Sequence, residues 1–212
     1  MVIRLGLARG PEDTLSKGIR KSGWETVFWP VTELRPMGSP PPITRARAAL
    51  VLSPAGARAA CLPAGMPCLV TGEATGRALD GHEVLVSPEP RAEGLWDALR
   101  SHFPEGGDFL LVRGERSRGY LEEVAQGTLW RLHPWITHEE APLVPVPKRP
   151  EVDAVLALSP LQAEVMAPLT QDILRFAWGE RAAAAFEAAG CPAHAVCEPR
   201  MDALGRILAS YL

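Results

Sequence analysis

The chain has 212 residues, of which 47% are hydrophobic and 22% charged, so it reads as an ordinary soluble globular protein of one large or two small domains. Its net charge of −3 argues against a nucleic-acid-coating surface and leaves room only for a local basic cleft. Four cysteines (Cys61, Cys68, Cys191 and Cys197) in no CxxC spacing are expected as small buried side chains in a reducing compartment. With no signal-peptide core and no run of roughly 18 apolar residues, a cytoplasmic protein without a membrane span is expected.

Residues 2–8, VIRLGLA, form a short apolar run that ends at Arg9-Gly10-Pro11, a strand and then a turn. EDTLSKGIRKSG follows as a helix, acidic at its start, basic late, and closed by Gly23. WETVFWP is a second strand, and the proline-rich VTELRPMGSPPP is extended because proline denies it a helix. Between Ala49 and Asp80 come two buried strands that each feed a helix, LVLSP into AGARAA and CLVTGEA into TGRAL. GHEVLVSP is a further strand, and RAEGLWDALRSHF a helix whose Leu95, Leu99 and Phe103 share one face.

At Asp108 the pattern begins again. Arg9-Gly10 and Arg113-Gly114, Gly23 and Gly127, and Pro30 and Pro134 each repeat at an offset of 104 residues. Ser53-Pro54 returns as Ser159-Pro160, Gly72 as Gly179, and Glu89-Pro90-Arg91 as Glu198-Pro199-Arg200. Such a series in fixed order marks two copies of one α/β unit. Repeated strand–helix alternation predicts, in each of two similar domains, a parallel sheet flanked by helices, the domains being joined by a two-stranded extended linker. The first piece is too small to bury a core alone and most economically joins the last. The predicted domains are 1–34 with 147–212, and 40–134, with crossing linkers at 30–42 and 134–148. A hinge of that kind lets two walls close over a cleft.

Strand-to-helix turns are where α/β proteins hold anions, through free N–H groups and the helix dipole. Ser53, Gly56, Thr75, Ser159 and Gln162 stand at such turns, although each alone is as well read as a helix cap. Arg9 and Arg113 hold equivalent strand ends, from which a guanidinium could pair with carboxylates; Arg116 and Arg118 read rather as solvated loop charges. His133 and His138, five apart on an extended segment, are expected on opposite faces, so no metal site is predicted there. No phosphate loop, dinucleotide fingerprint or nucleophile elbow is present.

LARGP, LVLSPAGA, VTGEATGRAL, VSPEPRAEGLWDAL, LLVRGERSRGYL, VLALSPLQAEVM and WGERAAAAFEAAG together, in that order, resemble the uroporphyrinogen-III synthase family over nearly the whole chain. The resemblance implies a cofactor-free and metal-free lyase that closes the linear tetrapyrrole hydroxymethylbilane into uroporphyrinogen III in an interdomain cleft, with hydroxymethylbilane synthase as a possible partner. It implies Thr75 as the catalytic hydrogen-bond donor. It also implies substrate binding by Arg9, Ser53, Gly56, Arg113, Trp135, Ser159, Gln162, Gly179 and Arg181. Two departures stand out. The second Gly-x-x-Thr turn has become Gly179-Glu180-Arg181-Ala182, and Trp135 stands where the family carries a tyrosine. They keep open an alternative, a non-catalytic tetrapyrrole- or anion-binding module on the same scaffold, and a third reading as an unrelated two-domain α/β protein. Trp29 and Trp135 could stack on a pyrrole, but packing is the better expectation for both.

Overall fold

The structure, a computed structural model, describes residues 2–42 and 45–211. β1 (Arg4–Leu7) leads into α1 (Thr14–Lys21), β2 (Glu25–Phe28) and the extended β3 (Thr32–Pro36). β4 (Ala49–Val51), α2 (Pro54–Ala59), β5 (Cys68–Val70), α3 (Glu73–Gly76), β6 (Val84–Val86) and α4 (Ala92–His102) follow. Next come β7 (Gly107–Gly114), α5 (Tyr120–Ala125) and the long β8 (Trp130–Pro142). β9 (Ala154–Ala157), α6 (Pro160–Met166), β10 (Leu174–Trp178), α7 (Glu180–Ala188), β11 (Ala195–Cys197) and α8 (Met201–Ala209) complete the order.

The chain divides into a terminal unit, residues up to Glu33 with those from Ala141 onward, and a central unit, Leu34–Glu140. The terminal sheet has the order β11-β10-β9-β1-β2, with every neighbouring pair parallel. The central sheet runs β3-β8-β7-β4-β5-β6, and its pairs from β8 to β6 are parallel. Counting from β1 in one unit and from β7 in the other, both share the strand order 2-1-3-4-5, with β3 as an added edge. The sequence repeat is therefore not the folding unit: each sheet takes its first two strands from one copy and its last three from the other.

Parallel strands covered on both faces must be apolar throughout, and β4, β5 and β9 are buried at every position. Alternate residues serve opposite faces. Val155 and Ala157 join Trp29, Met166 and Phe186, while Ala154 and Leu156 join Ile19, Trp24 and Leu204. In the central unit Leu50 and Leu111 pack with Leu95 and Leu99 of α4, and Val51 and Val112 with Ala57 and Trp135. Helix-flanked parallel sheets are thus what the alternation predicts.

Three local expectations are corrected. The helix expected over TGRAL is only the single turn α3, because its N-cap Gly72 offers no side-chain acceptor and the chain reverses at Gly81 (φ +78°). The proline-rich segments are partly strand: β3, and β8 as far as Pro142, belong to the central sheet. Cys61 is exposed, whereas Cys68, Cys191 and Cys197 are buried, and burial pushes the Cys68 and Cys197 thiols up to about 11.

Candidate functional site at the carboxyl edges of the sheets

In the central unit β4 delivers Ser53, which caps α2 by accepting a 3.1 Å hydrogen bond from the Gly56 amide. Gly56 is buried on the inner face of α2, where a Cβ would stand 3.3 Å from Val112 Cγ1, 3.5 Å from Ser53 Oγ and 3.8 Å from Thr137 Oγ1. One strand away, the Thr71 hydroxyl donates to the Leu52 carbonyl at 3.1 Å and ties the two turns together. Thr75 follows on α3 and is 3% exposed. The β4 turn stands at the β7/β4 boundary, where the strand order reverses and open α/β sheets hold their ligands, and the β5 turn lies one strand beyond it.

Arg113 ends β7, but its side chain is not idle. Its Nε lies 2.6 Å from Glu122 Oε1 of α5, an ion pair without hydrogen-bond alignment, and Nη1 donates to the carbonyls of Gly114 (3.1 Å) and Glu115 (3.4 Å). The opposite charges make the pair despite the poor angle, and both Glu122 oxygens are buried. A carboxylate approaching Arg113 meets a guanidinium that already has an acidic partner.

The terminal unit repeats the arrangement. Ser159 caps α6 by accepting from the Gln162 amide at 3.1 Å. The Gln162 side chain is held inside, with Oε1 accepting from Leu158 N (3.0 Å) and Nε2 donating to Thr32 Oγ1 (3.3 Å). Gly179 begins α7 with φ +90°, a conformation that glycine adopts without the strain of a Cβ. Arg181 and Arg9 are exposed, Arg9 two residues past β1. Ala182, the counterpart of Thr75, is 1% exposed, so this position faces inward in both units.

The structure therefore brings Ser53, Gly56, Thr75 and Arg113 to one carboxyl edge, and Arg9, Ser159, Gln162, Gly179 and Arg181 to the other. Trp135 is placed differently: it is 6% exposed within the core beneath α2, and its indole N–H has no protein partner among the described residues. Trp29 is likewise packed, donating from Nε1 to the Pro147 carbonyl at 3.0 Å.

The histidines correct a further expectation. A bulge pairs Arg113 with Ile136 but Gly114 with His138, so Thr137 is the extra residue. Past it the alternation is reversed, and His138 shares a face with His133 and Trp135. His133 Nε2 and the Arg131 guanidinium both reach Asp108 at the amino end of β7, far along the strand from the turns. Among the described residues no His, Cys, Asp and Glu cluster is arranged to hold a metal ion.

The ionisable groups set a testable acid response. Burial holds His138 below its ordinary value, against the opposing pull of Glu140, and burial with the nearby Arg175 does the same for His194. The Arg131 and His133 hydrogen bonds hold Asp108 far below the usual carboxylate range, and Arg149 lowers Asp172 to about 2. All four values are depressed by folding, so their stabilisation is present above the unfolded values and lost as pH falls through the folded ones. The histidines respond first: Tm should begin to fall below about pH 6.5, while the carboxylate pairs persist to much lower pH. Scanning calorimetry from pH 8 to 4 checks this, and a Tm flat from pH 7 to 5 would contradict it.

Comparison with known proteins adds the family. The sequence profile described as uroporphyrinogen-III synthase HemD matches residues 13–205, most of the chain. The chain belongs to the uroporphyrinogen-III synthase family. Among solved structures, the uroporphyrinogen-III synthetase of Helicobacter pylori is similar with a TM-score of 0.69 at 12% identity, covering 100% of both chains. A selenomethionine-labelled mutant uroporphyrinogen III synthase of Thermus thermophilus gives a TM-score of 0.53 at 18% identity, covering 99% of this chain and 97% of that one. At such identities these synthases share the fold. No curated protein sequence matches. Among the described residues no helix is long and apolar enough to cross a membrane.

Glu122, Thr137 and His138 are the neighbours that sequence reasoning missed. Glu122 reads as an exposed helix acid, and neither the buried ion pair nor the bulge leaves a periodic trace in the sequence.

Proposed function

We propose that this chain is a uroporphyrinogen-III synthase, cyclising hydroxymethylbilane to uroporphyrinogen III with inversion of ring D and loss of water. The observation that carries the reading is the family match over residues 13–205. The substrate, supplied in this reading by hydroxymethylbilane synthase, presents acetate and propionate groups around four pyrroles. The duplicated strand-end turns suit it, because first-turn N–H groups receive carboxylates without long side chains. In this assignment Ser53, Gly56, Ser159, Gln162 and Gly179 shape those turns, while Arg9, Arg113 and Arg181 supply charge.

The chemistry begins with acid-assisted ionisation. The hydroxyl leaves as water, the resulting azafulvene is attacked by the substituted position of ring D, and the spiro intermediate fragments and recloses. Protein help consists of hydrogen bonds at the leaving group and control of the folded geometry. Thr75 is the assigned donor to the leaving hydroxyl. Being buried, it can act only at the mouth of the β5–α3 turn. Trp135 carries no step, since an indole N–H is a poor acid and this one lies in the core.

The direct test supplies purified protein with freshly prepared hydroxymethylbilane and resolves isomers I and III. Isomer III should dominate; isomer I alone at the spontaneous rate would sink the proposal. Thr75→Val, which keeps the shape and deletes the hydroxyl, should slow isomer III formation about 10- to 100-fold, the effect of one transition-state hydrogen bond. Thr75→Ser should keep most of the rate. Equal rates in all three proteins would remove Thr75 from the chemistry and leave the activity standing.

A further inference from the structure

The β8 bulge builds a polar centre that the sequence motifs do not mark. Bulges re-aim side chains and recur beside active sites. Here the bulge buries Thr137 at 2% exposure and lays the His138 ring over Gly114, where a Cβ would come within 2.7 Å of His138 Nε2. His138 Nδ1 lies 2.9 Å from Thr137 Oγ1, and Thr137 Oγ1 donates to the Arg113 carbonyl at 3.4 Å. A threonine hydroxyl has one proton. The assignment that satisfies both contacts puts that proton on the Arg113 carbonyl, makes Nδ1 the donor to Thr137 and leaves the lone pair on Nε2. The residue is also held through its backbone, the Glu115 amide donating to the His138 carbonyl at 2.9 Å. Nε2 has no protein partner among the described residues and is not enclosed.

The position matters as much as the tautomer. His138 stands over the carboxyl end of β7, the strand next to β4 at the reversal of strand order, and Thr137 Oγ1 lies within 4 Å of the point that a Gly56 Cβ would occupy. Three neighbouring strand ends thus place an imidazole, two hydroxyls and the Gly56 turn together within the central unit.

We propose that His138 is the proton acceptor of this reaction, a catalytic residue whose tautomer Thr137 sets and whose ring the bare Gly114 backbone admits. The proposal rests on the synthase activity proposed above. When the macrocycle closes, the free α-carbon of ring D has attacked the azafulvene methylene left by fragmentation of the spiro intermediate, and it bears both its hydrogen and the new carbon–carbon bond. Nε2 takes that proton, the C–H electron pair restores the aromatic ring, and the imidazolium returns the proton to solvent before the next turnover. The departing hydroxyl leaves as water with a proton from solvent, so the proton count balances. Burial keeps the ring neutral, and therefore basic, at neutral pH. The charged residues on the surrounding elements are Arg131, Glu139 and Glu140 on β8, Asp108 and Arg113 on β7, Glu115 directly after it, Glu33 and Arg35 on β3, and Arg58 on α2.

The experiment measures isomer III formation against pH for the wild-type chain and for His138→Gln, Thr137→Val and Gly114→Ala, each checked for folding by circular dichroism. The wild type should show an acidic limb in kcat/KM governed by one group below the ordinary histidine value. His138→Gln should lose that limb and about 10²-fold or more in kcat, with KM changed far less. Exogenous imidazole should restore part of the rate to His138→Ala. Thr137→Val and Gly114→Ala should keep the limb and lower kcat, since they misplace the ring without removing it. Nitrogen NMR on the wild-type chain gives an independent reading, with Nδ1 protonated at neutral pH. A His138→Gln protein that folds and retains the wild-type rate and pH profile would overturn the proposal alone, as would an Nε2-protonated ring. A wild-type chain that forms no isomer III would overturn the activity itself, and this role with it.

Discussion

Glu122→Leu is expected to lower the Tm of the central unit by on the order of 10 °C. The change strands the Arg113 guanidinium, whose side chain is 15% exposed, without the carboxylate 2.6 Å away. Removing one member of a buried pair costs about 3–5 kcal/mol, because the remaining charge keeps its desolvation penalty and loses its attraction. Arg113→Met should be as damaging, since both Glu122 oxygens are buried. The double replacement Arg113→Met/Glu122→Leu should regain most of the loss, as apolar side chains fill the same space without charge. Thermal melts of the four proteins decide the matter, and single variants as stable as the wild type would show the pair to be dispensable. The functional consequence follows: Arg113 can serve a substrate carboxylate only by sharing itself with Glu122.

Arg175→Met should destabilise the terminal unit by about 3–5 kcal/mol. This guanidinium is 8% exposed and has no carboxylate partner among the described residues. It donates instead to backbone carbonyls: Nη1 to Thr170 (2.6 Å) and Ile173 (3.2 Å), and Nε to Pro192 (3.2 Å). The first two precede β10 and the third precedes β11, so one side chain staples two loops at the amino edge. Methionine fills the space but leaves three carbonyls unpaired. Arg175→Lys should recover only part of the loss, because an ammonium lacks the planar fork that reaches both loops. Denaturant melts with unchanged midpoints for both variants would refute the staple. Because it lies at the end of the strands opposite the turns, the loss should appear in stability before activity.

Much of the fold is legible in the chain itself. Continuous apolar runs such as AVLA and CLV announce strands buried on both faces. Ser-Pro pairs announce helix starts, since serine caps and proline tolerates the first turn, and both Ser53 and Ser159 do cap helices. The candidate turns could be picked out for the same reason, because hydrogen bonds between neighbours in sequence make them. Legibility ends where a partner is distant: Glu122 looks like any surface acid on α5 until the fold lays it against Arg113. It also ends where side-chain volume decides, as at Trp135, which the core absorbs.

What the sequence by itself determined was the alternation of strand and helix, the duplication and the family, all properties of local periodicity and of order along the chain. Only the tertiary structure decided that β3 and much of β8, expected as linkers, are strands of the central sheet, because strand pairing is made with partners distant in sequence. The bulge at Thr137 could be decided only there as well. A period-two count puts His133 and His138 on opposite faces, and one extra residue in the β7–β8 ladder reverses the count after Ile136. That single slip carries the imidazole onto the bare backbone of Gly114.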